Sequence, residues 1–149
     1  MRVMVIVKAS ERSESGALPD AQILAEMGKF NEELLKAGML LAAEGLHASS
    51  KGVRVSFAGG RSTVIDGPFT ETKELIGGFW LWQVKSIEEA VEWIRRSPFQ
   101  KREAEVEIRR VFETEDFGLS LPELCAQGAH ARGRSPRRTE PPRAVHHRR

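Results

Sequence analysis

The stretch Phe79-Trp80-Leu81-Trp82-Gln83-Val84-Lys85 constrains this chain more than any other. Its aromatic and branched residues favour a pleated strand. Alternation puts Trp80 and Trp82 on one face and Phe79 and Leu81 on the other. Residues 2–8 (RVMVIVK) repeat the problem, with Val3, Val5 and Val7 on one face and Met4 and Ile6 on the other. Strands that are apolar on both faces sit centrally in a sheet that needs cover on both sides.

Only two segments can supply helical cover. In residues 20–37, Ile23, Met27, Phe30 and Leu34 recur at helical spacing. Pro19 and Asp20 suit the first turn and Gly38 the left-handed stop. The second helix opens on Ser86-Ile87-Glu88-Glu89, a capping box in which Ser86 and Glu89 would cap each other's amides. Ile87, Ala90, Val91 and Ile94 make its stripe, and Pro98 stops it. Residues 9–19 are polar and read as a loop. Residues 39–46 and 105–112 read as further strands, the latter with Val106 and Ile108 on one face and Glu105, Glu107 and Arg109 on the other. Residues 53–57 and 62–66, joined by Ala58-Gly59-Gly60-Arg61, carry a hairpin signal.

The order is β-α-β-(ββ)-β-α-β. Without the hairpin it is βαββαβ, an α+β ferredoxin-like pattern with both helices on one face of an antiparallel sheet. The other face stays bare and partly apolar, so two copies are expected to stack sheet to sheet as a twofold homodimer.

The chain has 149 residues, 40% of them apolar, enough for one core and domain. No apolar run approaches the ~18 residues of a membrane span, and no targeting segment is expected. The lone Cys125 fits a reduced, cytoplasmic setting. The net charge of +2 hides an asymmetry. Residues 126–149 hold seven Arg and one acid, leaving 16 basic and 20 acidic residues to 1–125. The expected organisation is a folded domain over 1–119 and a basic Arg/Pro-rich tail over 120–149, too poor in apolar residues to fold. The tail could touch nucleic acid weakly by counterion release. It has no aromatics to stack on bases, and an extension without function is the expected reading.

The polar stretch Asp66-Gly67-Pro68-Phe69-Thr70-Glu71-Thr72-Lys73 follows the hairpin. Asp66 would be either a pocket carboxylate or, as expected, a turn-former that bonds the following amides. Glu71, Thr72 and Lys73 offer an acid, a hydroxyl and a base in three residues, for substrate orientation or acid–base work, against the alternative of a solvated ion pair. His47 would be a general base or a surface histidine without a role. Trp80, Trp82 and Phe79 would line an aromatic cleft or, as expected, pack in a core or interface. One body histidine and no HxxxH or CxxC spacing argue against a metal. Gly59-Gly60 and Gly77-Gly78 lack the spacing of a phosphate cradle. No cofactor is expected.

The run from Asp66 to Glu74, followed by Gly77-Gly78-Phe79, resembles the signature of the DGPF subgroup of the YCII-related (YciI-like) family. Lys36-Ala37-Gly38, Glu44-Gly45-Leu46, Glu107-Ile108-Arg109 and the stretch from Arg110 to Gly118 agree. The resemblance covers roughly 1–119. It implies a dimeric α/β barrel of ferredoxin-like subunits with a ligand cleft near the DGPF loop. The simplest relatives carry a His early in the first helix and an Asp before the Pro that ends the second, once proposed as a catalytic pair. Here Met27 and Ser97 occupy those places. Most members have no established activity, and the function expected here is cofactor-free binding of a small molecule by a homodimer, at a cleft using Asp66, Glu71, Thr72, Lys73 and His47. The alternatives are a cofactor-free enzyme working by general acid–base catalysis there, or an accessory partner of a transcription or signalling system.

Overall fold

The structure is a computed structural model that describes residues 1–118 together with 122 and 123. The chain divides after Phe112 into two units. In the second, Thr114–Phe117 form a 3-10 turn whose Glu113 amide donates to Asp116 Oδ2 at 2.7 Å. The basic tail expected over 120–149 lies outside the described residues, apart from 122 and 123.

The first unit runs β1 (Arg2–Lys8), α1 (Glu11–Glu14), α2 (Ala21–Lys36), β2 (Leu40–Gly45), β3 (Val53–Ala58), β4 (Arg61–Asp66), β5 (Ile76–Gln83), α3 (Ile87–Arg95) and β6 (Val106–Arg110). Four strands form one sheet in the order β2-β5-β1-β6, and β3-β4 form a separate two-stranded ribbon. Every neighbouring pair is antiparallel. With the ribbon set aside, this is the ferredoxin-like α+β order. The two strands with apolar residues on both faces, β1 and β5, take the centre.

Register decides which face is covered. Val3 pairs with Trp82 and Val5 with Trp80, and Val5 also faces Ile108 on β6. These side chains meet Phe30 and Leu34 of α2 and Ala90 of α3, all buried. Fully burying a side chain such as Leu34 contributes about 1.5–3 kcal/mol. The core is strongly aromatic. Phe30 stands edge-on to Trp80 at 5.8 Å and to Trp82 at 6.2 Å, and Phe99 edge-on to Trp80 at 6.0 Å. Trp80 Nε1 donates to Asn31 Oδ1 at 2.8 Å, whereas the buried Trp82 Nε1 has no partner. On the other face, buried Ile6 is flanked by half-buried Met4, Phe79 and Leu81, and among the described residues no helix packs on them. Glu44, Glu107 and Arg109 rim this apolar centre.

The helix ends follow local chemistry. Asp20 Oδ1 accepts the Ile23 amide at 2.8 Å, and Gly38 closes α2 at φ 73°. Two local expectations are corrected. The loop over 9–19 contains α1, where Ser10 and Ser13 cap each other's amides. At α3, Ser86 Oγ accepts the Glu89 amide as expected, but the Glu89 carboxylate takes the Lys85 amide at 2.8 Å, one residue further back than a capping box requires. The Ser86 hydroxyl still satisfies a first-turn amide, so the helix start is capped all the same.

Candidate functional site

The Asp66–Lys73 segment leaves the ribbon at the sheet end where β1 and β2 finish and β5 begins. Its first residues are held by backbone and by one serine. Asp66 still pairs with Val53. The Gly67 amide then donates to Gly52 O at 3.0 Å, and the Gly67–Pro68 peptide is cis. A Cβ on Gly67 would stand 1.7 Å from the Ser49 carbonyl oxygen, so only glycine fits against that backbone. The Phe69 amide donates to Ser49 Oγ at 3.1 Å. Ser49 is itself held by half-buried Glu14, whose carboxylate accepts the Ser49 amide at 3.0 Å and the hydroxyl at 2.5 Å. The Arg54 guanidinium lies 3.8 Å from the centre of the Phe69 ring, where the π face attracts a cation.

Three segments thus meet at one point: α1, the 46–52 segment and the Asp66–Lys73 segment. Beyond it, Thr72–Glu74 form a 3-10 turn. The chain then joins the sheet through Ala9 N to Leu75 O and Leu46 N to Gly77 O, both 2.9 Å. Gly78 is needed for that closure, because a Cβ there would stand 2.8 Å from Glu44 O.

Asp66, Glu71, Lys73 and His47 are exposed and Thr72 is half-buried. Thr72 and Lys73 lie in the 3-10 turn with Glu71 just before it, Asp66 ends β4, and His47 lies two residues before Ser49. Among the described residues none of their charged groups forms an ion pair or a side-chain hydrogen bond. Asp66 does not cap the turn that follows it. Ser49 does, because its hydroxyl already faces the Phe69 amide. Neither Glu14 nor Ser49 carries a local signal for this role, since their contact spans 35 residues.

Met27 packs against the aromatic core, and Ser97 is fully buried, its Oγ accepting the Phe99 amide at 3.4 Å at the start of the Pro98–Lys101 turn. These two side chains serve packing and capping. Trp80 and Trp82 belong to the core under the helices, while Phe79 faces the open side. A shallow dent on the outer side of α2, lined by Ala25, Glu26, Gly28, Lys29 and Glu32, contains none of the five candidate residues. Among the described residues no three His, Cys, Asp or Glu side chains gather in a way that would hold a metal ion, and no helix is long and apolar enough to cross a membrane.

The model of the YCII-related domain matches residues 1–115. An uncharacterized protein of Rhizobium meliloti (strain 1021) is 29% identical over 76 residues, or 51% of this chain; the match spans 61% of that relative's length. Among solved structures, 5-chloro-2-hydroxyhydroquinone dehydrochlorinase from Burkholderia phenoliruptrix AC1100, in complex with 2,5-dihydroxybenzoquinone, aligns at 17% identity with a TM-score of 0.41, covering 78% of this chain and 99% of that one.

Proposed function

The chain belongs to the YCII-related domain family, and from that premise we propose that it acts as a homodimer that binds a small polar molecule beside the Asp66–Lys73 segment. Two copies stack through the open sheet face, forming the dimeric α/β barrel, and the second copy walls the site. One observation carries the reading. The carboxylates of Asp66 and Glu71 and the amine of Lys73, with the imidazole of His47 on the neighbouring 46–52 segment, are exposed without partners among the described residues, and the root of the Asp66–Lys73 segment is tightly held by Gly67, Ser49 and Glu14. Groups with open hydrogen-bonding capacity on a fixed frame can recognise a ligand without first breaking bonds of their own. Opposite charges at Lys73 and at Asp66 and Glu71 suit a molecule carrying both an acidic and a hydrogen-bond-donating group.

A thermal-shift screen of polar metabolites tests this. A ligand at about 100 times its Kd stabilises by about 2.7 kcal/mol, a rise on the order of 5–10 °C for a domain this size. The response should vanish in Asp66→Asn or Lys73→Ala. A response that survives both substitutions places binding elsewhere. Asp66, Glu71 and Lys73 are also the groups that acid–base catalysis would use. Turnover of a ligand found in the screen would select that second reading.

A further inference from the structure

We infer that the β3–β4 ribbon is an arm that clasps a second copy of this chain. The inference rests on the dimer proposed above and adds a second contact to it.

All twelve residues of β3 and β4 are exposed. The strands pair only with each other, and the Gly59-Gly60 turn, at φ 57° and 75°, gives the tight tip of a projecting hairpin. The pairs Val53–Asp66, Val55–Val64 and Phe57–Ser62 set Val53, Val55, Phe57 and Val64 on one face. Their exposures are 59%, 47%, 80% and 62%. An isolated two-stranded ribbon is marginal in water, and one that presents four large apolar side chains in a row invites a partner.

Two features point to a second copy as that partner. The charges are complementary. Residues 51–66 carry Lys51, Arg54 and Arg61 against Asp66 alone, while the rest of 1–112 carries 13 basic and 15 acidic residues. Glu44, exposed at the rim of the open face beside Phe79, has no ion pair among the described residues and offers the arm a counter-charge. The reach also suffices. Six residues span about 20 Å, and stacked sheets lie about 10 Å apart, so an arm rooted at the sheet end is long enough to pass a partner's sheet. Under a twofold axis each copy gives and receives one arm.

Sedimentation equilibrium on the full chain tests the inference, using wild type, Phe57→Asp/Val64→Asp and, on the open face, Leu81→Asp. The arm side chains are solvated in the single subunit, so the double substitution should leave its far-UV circular dichroism unchanged. The dimer dissociation constant should rise by at least about tenfold. Hydrogen exchange gives an independent reading, with ribbon amides protected in the wild-type dimer and unprotected in Leu81→Asp monomers. A dimer as tight as wild type in Phe57→Asp/Val64→Asp, alongside dissociation by Leu81→Asp, overturns the arm and leaves the sheet-to-sheet dimer standing. A wild type that is monomeric at about 100 µM overturns both. Ribbon amides that gain protection only when duplex DNA is added would also overturn the clasp.

Discussion

Glu14 and Ser49 lie 35 residues apart, yet one carboxylate takes both hydrogens that Ser49 can donate, the amide at 3.0 Å and the hydroxyl at 2.5 Å. Ser49 passes the constraint on by accepting the Phe69 amide. A glutamate in a short helix near the start of the chain thereby holds the root of the Asp66–Lys73 segment.

Removing that carboxylate should be felt at Phe69. Glu14→Ala leaves two Ser49 donors without their charged acceptor, at a cost of about 1–3 kcal/mol in urea denaturation. The Phe69 amide should exchange faster than in wild type. The combined Glu14→Ala/Ser49→Ala change should cost less than the sum of the single changes, because both break the same linkage. Strict additivity would mean that the two residues act independently.

Two glycines should respond in opposite directions to alanine. At Gly67 the new methyl would meet the Ser49 carbonyl, which is backbone and cannot swing away, so Gly67→Ala should destabilise by at least about 2 kcal/mol. At Gly28, in the middle of α2, a Cβ meets nothing within 4 Å. Gly28→Ala should stabilise by about 0.5–1 kcal/mol through helix propensity. Thermal midpoints read both, and equal shifts would contradict the packing described for Gly67.

Trp82 should tolerate the loss of its nitrogen better than the loss of its bulk. Its Nε1 is buried without an acceptor. Trp82→Phe removes that unsatisfied donor while giving up some volume, two terms of about 1–3 kcal/mol that oppose each other. Trp82→Ala removes the same donor but leaves a far larger cavity, and should cost about 3–5 kcal/mol. If the two variants prove equally unstable, the indole nitrogen is not idle.

Changes at the binding residues should separate ligand response from stability. Asp66 and Lys73 are exposed and unpaired, so Asp66→Asn and Lys73→Ala should each change unfolding free energy by less than about 0.5 kcal/mol. A large loss of stability in either variant would assign that residue to the framework.

Alternation and helical spacing carried the reading of the sheet. Val3 and Val5 against Met4 and Ile6, and Trp80 and Trp82 against Phe79 and Leu81, divide between faces as the sequence indicates, and of the α2 stripe read from Ile23, Met27, Phe30 and Leu34 the last two are buried and the first two half-buried. That signal is local, and its failures come where contacts are not. Trp93 and Phe99 join the core through tertiary packing that the stripe of α3 does not announce. The short helix at Glu11–Glu14 forms on a serine pair within a stretch that reads as loop. At the candidate site, the residue types of Asp66, Glu71, Thr72 and Lys73 are plain from the signature. What holds them is not, because Ser49 and Glu14 reach the segment only after the chain has folded back on itself.

The hydrogen bond from Leu46 N to Gly77 O joins the strands on either side of the insertion that contains the ribbon. The sheet is therefore complete at the neck, whatever hangs beyond it. A shorter or longer hairpin between positions 53 and 66 would leave the order of the four strands untouched. The sheet closes across the root of the hairpin, so the hairpin is an addition to the sheet rather than a part of it.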